Sequence, residues 1–175
     1  MRRVAVLAAT LALVPASCGY TLVGQGRPTD PTIKTIGVPM FANHSGKDGL
    51  ELKITAQVIW ELHQRGGYKI LPQGDGVDAR VVGDLTAYVV APIGFSQPTA
   101  GYTQAERYAI SLNAKVRYEK AGQVEPLWQN DAFTFRDEFD IGDLNQYYFD
   151  REGIAIDRLA QDFSRSLVTS MFEAF

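Results

Sequence analysis

Between residues 107 and 118 the chain alternates at every position. Tyr108, Ile110, Leu112, Ala114, Val116 and Tyr118 fall on one side, and Arg107, Ser111, Asn113, Lys115 and Arg117 on the other. A period of two is that of a strand with one face in the core and one in water. A second strand is predicted over Ala79–Ala91, with Ala79, Val81, Gly83, Leu85, Ala87 and Val89 sharing a face. A third is predicted over Leu127–Phe139, where Phe133 and Phe135 alternate with Ala132 and Thr134. The Pro- and Gly-rich stretch Pro92–Thr103 reads as a loop, and Ala121-Gly122 as a turn. Three antiparallel strands in a meander are expected.

The first part of the chain has a different rhythm. Ile36, Val38 and Met40 predict a strand over Ile33–Phe41, and Tyr68–Leu71 a short second one. Between them Leu52, Thr55, Ala56, Val58, Ile59 and Leu62 form one broad helical arc opposite Lys53, Gln57, Glu61 and Gln64, with Leu50 and Ile54 spoiling the polar side. Asp48 and Glu51 have the spacing of a capping box, and Gly66-Gly67 ends the helix by left-handed conformation. Strand, helix and strand make a βαβ unit with a right-handed crossover. At the other end Ile156, Leu159, Ala160, Phe163, Leu167 and Met171 recur at three- and four-residue spacing and predict a second helix. The pairs Arg158–Asp162 and Asp162–Arg165 are expected on its outside. The expected architecture is a two-layer α/β (α+β) sandwich, two helices packed on one mixed, mostly antiparallel sheet. Residues 33–175 form its single domain.

The segment before that domain changes the picture. Arg2-Arg3 precede an apolar run from Val4 to Val14, the layout of a signal peptide and far short of the ~20 residues of a membrane-spanning helix. Small residues Ala16-Ser17 then precede Cys18, the only cysteine in the chain, so no disulfide forms within the monomer. The site resembles a bacterial lipobox, in which the cysteine is acylated and becomes the first residue; Pro15 stands where such sites usually carry Leu. On this reading 1–17 is a lipoprotein signal peptide and 18–32, rich in Gly, Pro and Thr, a lipidated tether. Gly19, where Asp would signal inner-membrane retention, points to the outer membrane. The bland alternative is a plain secretory signal with an incidental cysteine.

Composition removes several classes of function. The net charge is −3, and loss of Arg2 and Arg3 makes the mature chain more acidic, so nucleic acid is not an expected partner. His44 and His63, the two histidines, have no second ligand at metal spacing. No phosphate-binding loop follows a strand; Gly74-Asp75-Gly76 is too short. Neither a catalytic group, a metal nor a cofactor is expected. Trp60 and Trp128 read as core or sheet packing.

The whole mature chain resembles the lipopolysaccharide-assembly lipoprotein family LptE. The residues that carry the likeness are Cys18-Gly19-Tyr20-Thr21-Leu22-Val23-Gly24, Ile36-Gly37-Val38-Pro39-Met40-Phe41-Ala42-Asn43, the helix around Leu50–Leu62, Asp78-Ala79-Arg80-Val81-Val82-Gly83-Asp84-Leu85 and Leu127-Trp128. The resemblance implies a non-enzymatic lipoprotein on the periplasmic side of the outer membrane. It would plug and support a large β-barrel partner, LptD, that places lipopolysaccharide in the outer leaflet. None of the family's lipopolysaccharide contacts is carried over. A rival class is an outer-membrane lipoprotein that regulates a periplasmic cell-wall synthase; its tether would be longer than 18–32.

From the residues alone, the row Arg107, Lys115 and Arg117 is the candidate glycolipid or barrel contact. Guanidinium groups match phosphates in a bidentate way, and a solvated strand face is the alternative.

Overall fold

The computed structural model describes residues 30–99, 101–141 and 148–173. The predicted first strand is divided into β1 (Thr35–Gly37) and β2 (Ala42–Asn43), because Pro39 between them lacks a ladder N–H. Helix α1 (Leu50–Arg65) follows, then β3 (Lys69–Leu71), β4 (Ala79–Thr99), β5 (Tyr102–Lys120), β6 (Trp128–Asp140) and helix α2 (Tyr148–Glu173). The strands form one sheet in the order β3-β1-β4-β5-β6, with β2 also on β4. Pairing is parallel among β1, β2, β3 and β4 and antiparallel from β4 through β6. Two helices packed against a mixed open sheet is the expected α+β architecture, and β1-α1-β3 is the expected parallel unit. Among the described residues no helix is long and apolar enough to cross a membrane.

The break at Pro39 reverses which side chains point inward. Ile36 and Val38 are buried as expected, but Met40 is 57% exposed and Phe41 takes the core position. Phe41 lies over Gly83 of β4, where a Cβ would come within 2.2 Å of its ring, so glycine here provides the space the ring fills. The Phe41 N–H donates to Thr55 Oγ1 of α1 (3.0 Å), fixing this bend against the helix.

β4 departs from strict alternation for a similar local reason. A bulge at Thr86, between the pairs Leu85–Ala114 and Ala87–Asn113, inserts one residue and turns the following side chains over. Val81 and Leu85 are therefore in the core, while Val89, expected beside them, is exposed and Tyr88 and Val90 pack inward. Nor is Pro92–Thr103 a loop. β4 and β5 pair out to Thr99 and Tyr102, past the last β6 pair at Arg107–Asp140. From Leu85 to Ala105 the hairpin has no charged residue, and its outer part exposes Phe95 (62%) and Tyr102 (75%).

The helices share the sheet face formed by Val81, Leu85, Ile110, Leu112 and Val116. α2 buries Ile156, Leu159, Ala160, Phe163, Leu167 and Met171, the whole expected arc. α1 does not. It buries Leu50, Ile54, Thr55, Val58 and Leu62 and leaves Leu52, Ala56 and Trp60 exposed. The residues that spoiled the expected polar side are the ones in the core. Trp60 is thus a surface residue, whereas Trp128 packs edge-on to Phe133 as expected. The expected capping box is also absent. Gly49, at φ 78°, occupies the N-cap with no side-chain cap, and Glu51 instead accepts from Asn43 Nδ2 at 2.5 Å. Gly66 ends α1 at the expected place with a positive φ of 72°, but its ψ of 177° is extended and not that of the expected left-handed conformation.

Candidate functional site

β5 runs through the middle of the antiparallel part of the sheet. Its inward side chains, Ile110, Leu112, Ala114, Val116 and Tyr118, are buried, which turns Lys115 and Arg117 onto the face away from the helices and Arg107 out of the core toward the β6 edge, where α2 also reaches. All three cations are exposed. The structure brings two of them together. Lys115 and Arg117 line one shallow recess of about 290 Å³ with Val82, Gly83, Asp84 and Asp131. Arg107 is eight residues away along the strand, roughly 27 Å at 3.4 Å per residue.

Each group has its own carboxylates. Arg107 Nε is 2.7 Å from Asp140 Oδ1 on β6, and this bond raises the guanidinium pKa further. Arg117 Nε lies 3.5 Å from Glu119 Oε1, while the other oxygen of Glu119 accepts from Arg80 Nε at 2.8 Å. Lys115 is directly opposite Asp84 in the β4–β5 register. Asp84 Oδ1 is 2.7 Å from His44 Nδ1, and among the described residues Lys115 makes no ion pair within 4 Å. The face is a mixed field of both signs in which the Lys115 ammonium is exposed to solvent.

Arg107 has companions that the sequence reading missed. It shares a recess of about 340 Å³ with Arg151 and Arg158 of α2, together with Glu138, Asp140 and Ile154. Arg158 does not make its expected intrahelical pair with Asp162. Its Nε donates to Asp137 Oδ2 at 2.9 Å and its Nη2 to the Glu138 carbonyl at 3.0 Å, both on β6. Arg165 likewise faces Glu61 of α1 at 3.8 Å instead of Asp162. No periodic signal joins a β5 arginine to the start of α2, because that neighbourhood is made by packing.

Elsewhere charged groups tie the layers together. Glu152 of α2 is buried and accepts from Lys47 Nζ at 3.0 Å and from the Tyr88 hydroxyl at 2.8 Å. Burial first, and the Glu152 carboxylate second, hold the Tyr88 phenol neutral well above its usual range. Asp78 Oδ2 accepts from the Lys34 and Thr35 N–H groups (2.9 and 2.8 Å) and from Thr35 Oγ1, and these bonds lower its pKa. Asp30 is held down to about 2, chiefly by its bond to Lys120 and then by Thr32. These bonds fix residues 30–32 on β5. Among the described residues no group of three His, Cys, Asp or Glu side chains could hold a metal ion. Cys18 lies outside the described residues.

The profile of the lipopolysaccharide-assembly family LptE matches residues 33–171, nearly all of this sandwich. The chain belongs to the LptE family. No curated protein matches it. Among solved structures it is similar to a hypothetical protein from Chlamydia trachomatis, with 9% identity, a TM-score of 0.50, and 79% of this chain and 95% of that one covered. It is likewise similar to a protein from Xanthomonas campestris, with 10% identity, a TM-score of 0.50, and coverage of 82% and 88%. Lipoprotein B from Nitrosomonas europaea aligns at 10% identity and a TM-score of 0.49 over 89% of this chain and 96% of that one. At these identities the two structures at 0.50 speak for the fold alone. Family membership makes this a lipopolysaccharide-assembly protein.

Proposed function

We propose that the chain is an outer-membrane lipoprotein, acylated at Cys18, that plugs and supports the LptD-type β-barrel through which lipopolysaccharide reaches the outer leaflet. The observation that carries this reading is the distribution of cover on the sheet. Both helices lie on one face, and the other presents Lys115 and Arg117 among carboxylates, amides and hydroxyls, with Arg107 toward the β6 edge. The interior wall of a membrane β-barrel is polar, so a rigid sheet with a polar mixed-charge face around Lys115 and Arg117 is complementary to it. Lys115, free of an ion-pair partner among the described residues, is the group on that face best placed to meet a barrel carboxylate or a glycolipid phosphate.

Reversing Arg107, Lys115 and Arg117 together to Glu tests the reading in the membrane-anchored protein. Copurification of a heat-modifiable outer-membrane barrel, and retention of lipopolysaccharide on it, should fall sharply while the far-UV spectrum stays that of the parent. Unchanged copurification and glycolipid binding would leave the face as solvated surface only. Copurification of a cell-wall synthase in place of a barrel would replace the reading by its rival.

A further inference from the structure

At the end of the sheet away from the β4–β5 hairpin lies an apolar recess of about 260 Å³. Its walls are Ile33, Tyr68, Tyr118, Leu127 and Phe172, with Tyr68 stacked on Phe172 at 5.5 Å. Tyr118 belongs to the inward row of β5 and Phe172 to the buried arc of α2, so the recess lies on the helix side of the sheet. The first described residues sit at its rim. Asp30 and Pro31 line it. Asp30 is pinned there by Lys120 Nζ (2.5 Å) at the end of β5 and by the Thr32 N–H and hydroxyl (2.9 and 2.6 Å). The chain that precedes Asp30 therefore departs from this recess.

The departing stretch is not composed as a plain spacer. Its last part, Gly24-Gln25-Gly26-Arg27-Pro28-Thr29, consists largely of turn residues. Before it stands Tyr20-Thr21-Leu22-Val23, an aromatic, aliphatic and β-branched run with the composition of a strand. A linker that works by length alone has no need of such a run.

We infer that residues 20–23 fold back onto the recess, Leu22 entering it and Tyr20 covering its mouth, so that the tether carries its own clasp. In an extended segment Tyr20 and Leu22 share one side. The six residues Gly24–Thr29 exceed the roughly two to five of common hairpin loops, so the chain reverses without strain. Because the run is tied to the rim at Asp30, it meets the recess at a high effective concentration that an outside ligand would have to overcome. The clasp sets how far the domain stands from its first mature residue. From Cys18 to a docked Leu22 the chain spans at most about 14 Å, against about 40 Å for the whole stretch 18–29 extended. If Cys18 is acylated, as the proposed function has it, this end of the sheet is held close to the bilayer. The reach still passes a single barrel wall, since packed sheets lie about 10 Å apart. The clasp thus fixes the depth of the plug and, lying on the helix side, leaves the face with Lys115 and Arg117 open.

Photocrosslinking in the membrane-anchored protein tests the clasp first. A crosslinking residue at Leu22 should join the tether to peptides of the same chain that hold Tyr68, Tyr118 or Phe172, identified by mass spectrometry. One at Gln25 should not. Adducts from Leu22 with lipid or another protein alone, or equal intrachain yields from the two positions, would overturn the inference. A bulky crosslinker can be refused by the recess, so a silent Leu22 position is decided by a second measurement. Cys18 is the sole cysteine, and in the unacylated chain 18–175 it can carry a nitroxide. The label should relax the ring signals of Tyr118 and Phe172 strongly in the parent and several-fold less in Leu22→Asp, a change outside the sandwich. Equal relaxation in the two chains would sink the clasp. This measurement needs neither lipid nor barrel, so its failure is distinct from a failure of the proposed function.

Discussion

The two helices lie side by side on one sheet, yet they relate to their sequences in opposite ways. In α2 the apolar arc and the buried arc coincide, from Ala155 to Phe172. In α1 they are offset, so that Leu50 and Ile54 are in the core and Leu52 and Trp60 in solvent. Each arc is wide enough to satisfy a helical period. In α2 the arc is set against a broad surface, with Phe163 meeting the edges of Phe133 and Phe135 at 5.1 and 5.7 Å. α1 instead covers the parallel edge, where Phe41 enters the core at the bend after Pro39 and bonds through its N–H to Thr55. That contact turns the helix so that the Leu50-Ile54-Val58-Leu62 row faces inward. An amphipathic period therefore identifies a helix, but where both arcs carry apolar residues the neighbouring elements decide which one is buried.

Substitutions on the two helices should break this symmetry in order of size. Phe163→Ala removes a fully buried ring and should cost about 3–5 kcal/mol in denaturant titrations; coincident unfolding curves for mutant and parent would mean that α2 is peripheral. On the α1 side, Gly83→Ala places a Cβ against the Phe41 ring. Overpacking of that kind costs about 1–3 kcal/mol, and the displaced ring should be visible in the chemical shifts of Thr55.

Tyr88→Phe probes the first turns of α2. Loss of its bond to Glu152 should cost about 1 kcal/mol at neutral pH. It also changes the alkaline behaviour. In the parent, Tyr88 and Tyr118 have pKa values raised chiefly by burial. Their contribution is complete below the ordinary phenol pKa of about 10 and declines as pH rises above it. Stability measured from pH 9 to 12 should fall more gently in the mutant than in the parent; parallel profiles would contradict the assignment. Smallest of all, Leu52→Gln should leave stability within about 0.5 kcal/mol, the range of an ordinary surface substitution. A larger loss would show that this side of α1 is part of the core.

The same distinction between local rule and tertiary decision runs through the rest of the molecule. The inward row of β5 was legible because, between Arg107 and Tyr118, the register shifts put their extra residues on β4 and β6 and none on β5 itself. Val89 was misplaced because the single extra residue at Thr86 reverses the pleat, and nothing in the local sequence marks that position. The hairpin beyond Pro92 read as a loop because proline and glycine are turn residues, yet at the edge of a sheet both fit into a strand. Within the candidate face, the outward direction of Arg107, Lys115 and Arg117 followed from period two. The separation of Arg107 was implicit in its spacing, whereas its proximity to Arg151 and Arg158 exists only once α2 is packed on β6.

The central claim is that the open sheet face, and not the helix face, meets the barrel. Photocrosslinking residues introduced singly at Ser111, Thr134 and Ala56 in the membrane-anchored protein test it directly. The account predicts an adduct with a heat-modifiable outer-membrane barrel from Ser111 and Thr134 and none from Ala56. An adduct from Ala56 with silence at both sheet positions would contradict it.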